Sequence, residues 1–583
     1  MSTKINNPMK LNLLLIGLLF AINFSYAQDI SVNISYTRIY DFMDELASEK
    51  LIDLNSAIQP YSRKLISEKL LEAQRKDANL NARQKAELKF FLNEFILEQD
   101  KLPDTKINLW KNEISSLALI QPAFHYRDSL FRARITPILG MHVSLNSHGS
   151  YIKRWFGADF QVMIGKHFSI YGSLRDISND VDSGLIAKPK YLNDFPGYEY
   201  KEATYGGDYS DSRGGIKYSN NWASIGLVKD NVIWGDNYHG SNILSGRAPS
   251  FPMLTLNLKP AKWFEFNYFH AWLVSNVVDS SYYYLENDSR FYYRPANKFM
   301  AANMFTFTPV NGLKISVGNA IVYAEKTIQG AYFLPFAFYK SIDHTLTKGI
   351  GTENQNSQMF LNVSSRNFKH LHLYGSVFID EMNFSRFKAS NPENNPISIK
   401  FGAQVSNFKV QNLTAIFEYT RSNILNYKHS IPLLTWESNS YNLGHYMGDN
   451  AQEIYMALKY KPIRGLDFKL SYFNAQKAND YEYIRRETSN GLTGSVLNII
   501  SQAVLDEIIW KNQTLSLNVC YEIFNNAYAL LQIENSNISA YEPVKAATFG
   551  ENRMTASQAL NYFTPKFYQG KNTTITAGFS IGF

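Results

Sequence analysis

Cysteine is almost absent from this sequence. Cys520 is the single cysteine among 583 residues, which excludes an internal disulfide framework. The N-terminus predicts that the chain is exported. A long exported chain without disulfides needs another source of rigidity, and a closed β-barrel is one such source.

Long apolar runs are also missing. Beyond residue 27 there is no stretch of about 18 apolar residues, so we predict no membrane-spanning helix. Hydrophobic residues still make up 45% of the chain, and the mean hydropathy is −0.26. Both values fit a transmembrane β-barrel. Only every second residue of each strand faces lipid, so no segment of the chain reaches the high mean hydropathy of a membrane-spanning helix. The 38 Tyr and 39 Phe fit aromatic girdles at two membrane interfaces. The alternative is a large soluble β-protein.

A strong excess of charge is lacking as well. The formal net charge is +7, and removal of Lys4 and Lys10 with a signal peptide lowers it to +5. Without a long basic run, this balance does not indicate a nucleic-acid partner. The metalloprotease H-E-x-x-H, the Walker phosphate loop and a credible G-x-G-x-x-G are also absent, so we predict no cofactor and no metal site.

The N-terminus resembles a secretory signal peptide over residues 1–27. Lys4 and Lys10 form a positive n-region, and Leu11 to Phe20 form a short apolar core. Ser25-Tyr26-Ala27 places small residues at the two positions that a signal peptidase inspects, so we expect cleavage before Gln28. About ten apolar residues are too few for the alternative, a transmembrane anchor.

Residues 28–108 are predicted to form a helical segment. Asn81 is expected to cap the third of three helices, with Gln84 completing a capping box. One alternative places this segment in the periplasm against the barrel end, and the other makes it a free adaptor joined through Lys101–Asp104. The three apolar stripes have helical spacing and need a common core, and they consist of Ile39, Phe42, Met43 and Leu46, then Ile66, Leu70 and Ala73, then Leu88, Phe91, Leu92 and Phe95.

Residues 109–583 change to a period of two, which is typical of β-strands. The clearest example is the C-terminus, where every odd residue from Ile575 to Phe583 is apolar and every even one is Gly, Ser or Thr. Segments such as 371–380, 397–406 and 413–420 alternate in the same way. We therefore predict that 575–583 is the closing strand of the sheet.

The predicted connections alternate in length. Short turns are expected at 310–312, 259–262 and 462–465, and long loops at roughly 230–252, 277–297, 326–357, 424–450, 481–510 and 540–571. Short turns on one side and long loops on the other are typical of outer-membrane barrels. The predicted fold is therefore an all-β transmembrane antiparallel barrel of about 16–18 strands with a small N-terminal α-helical periplasmic segment.

Two short motifs suggest chemistry that the sequence does not support. Gly578-Phe579-Ser580-Ile581-Gly582 matches the nucleophile elbow of hydrolases, but no helix follows, as that motif requires. His370 and His372 would place two imidazoles on one strand face, yet no further ligand joins them at metal-site spacing. We predict neither a catalytic nor a metal site.

The segment Gly226–Pro252 is the most distinctive part of the chain. It predicts a strand followed by a long loop rich in Gly, Asn and aromatic residues. An aromatic face beside Asp, Asn and Arg suits a sugar, because it offers a surface for stacking and partners for hydroxyl groups. The alternative is a loop folded into the lumen as a plug, with Trp234 buried and Arg247 paired to a carboxylate. The candidate saccharide-binding residues are Trp234, Asp236, Asn237, Tyr238, His239 and Arg247.

This segment also carries a family resemblance. Trp234-Gly235 followed by Ser245-Gly246-Arg247-Ala248-Pro249-Ser250-Phe251-Pro252 resembles the strand and loop of Wzi-type capsule-assembly outer-membrane proteins. Segments 354–356, 373–381 and 443–450 agree, and 40–46 and 60–63 resemble the helical N-terminal segment of that family. The N-terminal segment is similar to that of the RemB-type gliding-motility branch. The resemblance covers nearly the whole mature chain. It implies an outer-membrane barrel of about eighteen strands that acts as a lectin for exported capsular polysaccharide.

The predicted function is therefore non-enzymatic binding or organisation of surface polysaccharide, serving capsule retention, gliding motility or adhesion. Many weak contacts along a polymer would supply the avidity. The expected partners are surface polysaccharide, outer-membrane lipid, the barrel-insertion machinery and gliding or secretion machinery. A diffusion porin is the alternative, and an outer-membrane enzyme acting on lipid or glycan ranks below it.

Overall fold

The computed structural model describes residues 29–99, 106–112, 114–181, 201–203, 206–285, 291–346, 355–380, 382–388, 391, 393–482, 503–547 and 551–582. The expected signal peptide, the segment Lys101–Asp104 and Phe583 lie outside the described residues.

Eighteen long antiparallel strands form a closed barrel in this part of the chain. The last strand pairs with its predecessor and also with the first strand, from Ile575 opposite Leu145 to Ile581 opposite Leu139. The predicted fold class and closing strand are therefore confirmed. The strands are β1 Phe131–Asn146, β2 Gly149–Ile164, β3 Phe168–Val181, β4 Gly206–Ser219, β5 Ala223–Asp230, β6 Phe251–Ala261, β7 Phe264–Leu273, β8 Lys298–Val310, β9 Leu313–Tyr323, β10 Gln355–Ser365, β11 Leu371–Ile379, β12 Ile397–Ser406, β13 Leu413–Ser422, β14 Ala451–Tyr460, β15 Leu466–Ala478, β16 Ile508–Phe524, β17 Ala527–Ala540 and β18 Gly570–Ile581.

The predicted alternation separates an outer from an inner face. In β12 the side chains of Ser398, Lys400 and Gln404 are buried in the lumen, whereas Phe401 is exposed on the outside. Cross-strand pairing joins outward apolar residues into a continuous row that runs through six strands. The row consists of Leu458, Leu470, Leu517, Ile533, Ile575 and Leu145.

The connections divide the barrel into two ends. Short turns at one end include the predicted turns at Gly312 and Gly465, whose positive φ angles of 86° and 84° favour glycine. At the other end, the six predicted long loops connect β5 to β6, β7 to β8, β9 to β10, β13 to β14, β15 to β16 and β17 to β18, and long connections that the sequence did not reveal join β3 to β4 and β11 to β12. Several of these connections contain residues outside the described part of the chain, among them 182–200, 347–354 and 483–502. We name the two ends the helix end and the loop end, because the helices described next lie at the short turns.

The predicted helices are present as α1 Thr37–Ser48, α2 Arg63–Gln74 and α3 Ala82–Glu94. Asn81 and Gln84 form the predicted capping box. The three stripes share one core, in which Leu92 is only partly buried. None of the helices in the described residues is long and apolar enough to cross a membrane.

The helical unit, residues 29–99, is docked onto the barrel. Its ion pairs reach strands and turns around the helix end, so it lies against the barrel end as in the first of the two alternatives, and its periplasmic location stays a prediction. The ion pairs are Asp29–Lys217 at 3.4 Å, Arg38–Glu522 at 2.9 Å, Asp41–Lys459 at 2.8 Å, Asp44–Arg366 and Asp53–Lys314 at 2.9 Å.

Shorter elements complete the described structure. Three strands precede β1 and extend the sheet at the helix end: Ile107–Lys111, Ser116–Ile120 and Ala123–Arg127. Lys201–Ala203 pairs with β4. A small three-stranded sheet consists of Ile58–Gln59, Ile233–Trp234 and Leu244–Ser245. Three two-stranded pairs join Val278–Leu285 with Phe291–Pro295, Glu437–Ser438 with Tyr441–Asn442, and Asp480–Tyr481 with Glu551–Asn552. Two further helices are α4 Tyr339–Leu346 and α5 Ala556–Phe563.

Candidate functional site

The loop between β5 and β6, residues 231–250, is folded into the lumen, and we call it the inserted loop. Trp234 is only 2% exposed. Its ring packs edge-on against Phe269 at 5.0 Å and Phe360 at 5.8 Å, and its backbone pairs with Ile58 of the helical unit. The structure therefore matches the plug alternative for Trp234, since no face of the indole is open to a sugar.

Asp236 ties the inserted loop to the barrel wall and to the helical unit. Its backbone N–H donates to Asn362 Oδ1 at 3.1 Å, and Asn362 Nδ2 donates back to the carboxylate at 2.7 Å. Ser56 donates to the other carboxylate oxygen. Asn237 shapes the next turn, because its Oδ1 accepts from the Gly240 N–H at 3.2 Å.

Tyr238 crosses to the opposite side of the lumen. Its backbone N–H donates to Glu418 of β13 at 2.7 Å, and its hydroxyl donates to Asp44 of α1 at 2.6 Å. His239 continues in the same direction. Its Nδ1 lies 2.9 Å from Glu453, and its ring stacks on Tyr455 with 4.3 Å between ring centroids. The inserted loop thus spans the lumen from β5 to β14.

Two further contacts hold the inserted loop, and the sequence did not single them out. Asn242 is fully buried, donates to the Ser398 carbonyl at 3.1 Å and accepts from Ser376 at 2.6 Å. The Trp436 indole N–H donates to the Ile243 carbonyl at 3.1 Å from the loop between β13 and β14. Arg247, the last of the predicted residues, is buried with its guanidinium over the Tyr441 ring at 5.4 Å.

A polar cavity of about 390 Å³ remains between α1, the inserted loop and strands β14–β16. This volume lies within the usual range of small-molecule pockets, about 300–1,000 Å³. Three predicted residues line it together with charged side chains, namely Asp236, Asn237, Tyr238, Asp41, Lys459 and Lys469. Saccharide binding by the six predicted residues stays a prediction.

A serine, a histidine and two carboxylates meet beside this cavity. Ser364 Oγ lies 2.9 Å from His372 Nε2, and Asp236 and Asp44 lie 3.6 Å and 3.8 Å from the same ring. Arg366 lies 3.1 Å from His372 Nδ1. The Tyr238 hydroxyl lies 3.0 Å from the same nitrogen, whereas the Asp44 carboxylate is 3.8 Å away, beyond hydrogen-bond distance. A hydrolase triad needs a carboxylate hydrogen-bonded to Nδ1 to orient the ring, so the cluster lacks that arrangement.

The two histidines considered for metal binding are separated. His370 lies in the turn before β11, where its Nδ1 is 2.9 Å from the Ser406 carbonyl, and not on the strand face as expected. Within the described residues, no group of three His, Cys, Asp or Glu side chains is placed to hold a metal ion.

An exposed aromatic surface lies on a hairpin that the sequence predicted only as a long loop. We call residues 278–285 and 291–295 the aromatic hairpin. Its Tyr284 and Tyr292 rings stack at 5.5 Å, and Arg294 lies over Tyr282 at 4.4 Å. The runs Tyr282-Tyr283-Tyr284 and Phe291-Tyr292-Tyr293 were a signal that could have identified it. Five rings of the hairpin are each more than half exposed: Tyr282, Tyr283, Tyr284, Phe291 and Tyr293.

A solved structure supports the same architecture. The Escherichia coli protein Wzi, described as an outer-membrane protein involved in group 1 capsule assembly and a carbohydrate-binding β-barrel, is 10% identical with a TM-score of 0.54. The match covers 96% of this chain and all of Wzi. OprD of Pseudomonas aeruginosa is also 10% identical, covers 77% of this chain and 94% of its own, and has a TM-score of only 0.37.

No curated protein matches the chain. The family model of the capsule assembly protein Wzi, however, matches residues 198–549, which is more than half of the sequence. The chain is therefore a member of the Wzi capsule assembly family.

Proposed function

We propose that this protein is an outer-membrane β-barrel that binds and organises surface polysaccharide, capsular or exported, in the manner of a lectin. The aromatic hairpin carries the proposal, because tyrosine rings exposed on both of its strands offer stacking surfaces for successive sugars. Membership of the Wzi family and the carbohydrate binding described for the Escherichia coli protein support it.

The outer surface supports a membrane location. The continuous apolar row through β14–β18 and β1 would face lipid acyl chains. Large aromatic side chains are exposed at short turns of the helix end, where a membrane–water interface favours them: Trp222, Trp263, Phe368 and Phe408. In this orientation the helical unit faces the periplasm, and the aromatic hairpin faces the cell exterior.

Binding would rest on many weak contacts along a polymer. Each exposed tyrosine contributes a modest stacking energy, and repeated engagement of one chain raises the avidity. The six residues of the inserted loop have two roles in the proposal. Asp236, Asn237 and Tyr238 present polar groups to the lumen cavity for a saccharide, whereas Trp234, His239 and Arg247 hold the loop in position.

Gliding motility and surface adhesion belong to the same proposal, because a moving adhesin must also grip polysaccharide. We propose no catalytic activity, since in the Ser–His–carboxylate cluster described above no carboxylate lies within hydrogen-bond distance of His372 Nδ1. A purified protein that cleaved labelled lipid or glycan would contradict this part.

The test is binding of surface polysaccharide by the purified barrel in detergent, compared with a Tyr282→Ala/Tyr283→Ala/Tyr284→Ala variant. Loss of three stacking surfaces is expected to weaken binding by about tenfold or more. Trp263→Ala is the matched control, because this ring is 60% exposed but lies at the helix end. Equal binding by the triple variant and the control would refute the proposed role of the hairpin.

A further inference from the structure

In the connection between β9 and β10, residues 328–339 lie along the outer wall of the barrel. We call residues 328–339 the outer flap. Phe336 stacks on Phe266 of β7 at 4.4 Å and lies 6.3 Å from Phe305 of β8. Phe266 is seven residues from the loop end of its strand at Leu273. At about 3.3 Å per residue, the flap reaches roughly 23 Å down the strand.

The flap covers the outward face and not the lumen. Met300, Ala302 and Met304 of β8 point inward and pack in one cluster with Trp234. The alternate residues therefore point outward, and among them Asn303 is paired with Asn319 of β9. Two asparagines thus face the side of the wall that the proposed membrane location assigns to lipid.

These polar side chains are satisfied by the backbone of the flap. Asn303 Nδ2 donates to the carbonyls of Pro335 and Ala337, both at 2.9 Å. The Tyr339 N–H donates to Asn319 Oδ1 at 2.9 Å. The Tyr268 hydroxyl donates to the Tyr332 carbonyl at 3.0 Å. In lipid, irregular backbone persists only where protein groups supply its hydrogen bonds, and the wall supplies them here.

The other side of the flap is apolar. Residues 328–339 read Ile-Gln-Gly-Ala-Tyr-Phe-Leu-Pro-Phe-Ala-Phe-Tyr and contain no charged residue. Leu334 is 59% exposed, and three phenylalanines are exposed beside it: Phe333, Phe336 and Phe338. This surface continues the apolar belt, because Val317 and Leu361 are paired and exposed on the same wall.

We infer that the outer flap is a lipid-embedded segment that re-enters the membrane along the outside of β7–β10 and presents Phe333, Leu334, Phe336 and Phe338 to acyl chains. The inference rests on the proposed membrane location. Three features carry it: the depth of Phe336, the wall asparagines that satisfy the flap backbone, and the uncharged outer surface.

The test places a bimane fluorophore on a single cysteine in a Cys520→Ser background, with the full chain reconstituted in phosphatidylcholine vesicles. Leu334→Cys reports on the flap. Leu470→Cys, in the apolar row, is the lipid-facing control, and Tyr283→Cys, in the aromatic hairpin, is the water-facing control. We expect doxyl-labelled lipid to quench position 334 as strongly as position 470, and aqueous iodide to quench only position 283.

The controls separate the possible failures. Quenching of position 334 by iodide, with position 470 still quenched by lipid, would overturn the inference and leave the membrane location intact. Quenching of position 334 by neither reagent would mean that a protein covers the flap, and would also overturn it. Absence of lipid quenching at position 470 would refute the membrane location itself.

A second variant tests the polar anchor. Asn303→Ala removes the side-chain donor to the Pro335 carbonyl and one of the two side-chain donors to the Ala337 carbonyl, so the fluorophore at position 334 is expected to become accessible to iodide. Asn267→Ala is the matched control, because Asn267 lies on the inner side of the neighbouring strand and bonds to Glu265. Unchanged iodide accessibility in Asn303→Ala would refute the anchoring role of Asn303.

Discussion

At the residue scale, Trp234 is the main apolar anchor of the inserted loop. Its truncation to alanine removes a fully packed indole from between Phe269 and Phe360. Truncation of a buried tryptophan to alanine lowers protein stability by about 3–5 kcal/mol. We therefore expect Trp234→Ala to lower the free energy of unfolding, measured by guanidinium denaturation in detergent. Trp263→Ala should change it by less than about 0.5 kcal/mol, because that ring is exposed. Equal values for the two variants would contradict the assigned packing.

Glu45 of α1 makes the docking of the helical unit dependent on pH. Burial alone raises the pKa of Glu45, but Arg83 and Lys461 outweigh it and hold the pKa at about 2. A carboxylate with a lowered pKa stabilises the fold above its unfolded value near 4.5, and this contribution is lost as the pH falls towards 2. The pKa of Glu49 is shifted in the opposite direction, because burial and the charge of Glu45 raise it.

The measurement compares the unfolding free energy of the wild-type protein with that of Glu45→Gln from pH 7 to pH 2. The difference in unfolding free energy is expected to be largest above pH 4.5 and to shrink towards pH 2. A constant difference from pH 7 to pH 2 would show that the charge of Glu45 does not stabilise the docked unit.

At the scale of elements, the inserted loop decides whether the lumen conducts. Asp230 and Phe251 are paired, so an Asn-Gly turn can replace residues 231–250 without changing the register. We expect the intact barrel to conduct poorly in planar bilayers and the shortened barrel to conduct several-fold more. Replacement of the aromatic hairpin, residues 278–295, is the control and should leave the conductance unchanged. High conductance of the intact protein would favour the porin alternative.

Local signals in the sequence identified most elements. Asn81 with Gln84 predicted a helix start, and the alternation from Ile575 predicted the closing strand, because a cap and a period of two depend on neighbouring residues alone. Alternation along β7 places Phe266 on the outer face, but no local pattern shows that the outer flap covers it. That contact joins residues 70 positions apart in the chain.

The candidate site shows the same limit. Sequence patterns singled out the inserted loop, but the direction in which a loop folds depends on partners such as Asn362 and Glu418, which are more than 100 residues away. Conversely, Tyr282 and its neighbours were visible as a run of tyrosines. Their exposure could not be predicted, because runs of aromatic residues are equally typical of packed cores.

At the scale of the whole molecule, the proposed function predicts a cell-surface phenotype. Deletion of the gene is expected to reduce retained surface polysaccharide and to reduce cell spreading. The wild-type gene should restore both, whereas the Tyr282→Ala/Tyr283→Ala/Tyr284→Ala variant should restore neither at equal abundance in the membrane. Unchanged polysaccharide and spreading after deletion would refute the proposal.

The ion pairs of the helical unit also bear on the order of assembly. Its partners Lys217, Lys314, Arg366, Lys459 and Glu522 are distributed from β4 to β16. A partly closed sheet would hold only some of them at the right distance. The helical unit comes first in the chain, yet its complete set of contacts forms only after strands from both halves of the barrel have come together. The complete set of these ion pairs therefore reports on a closed barrel, in which strands from both halves are in place.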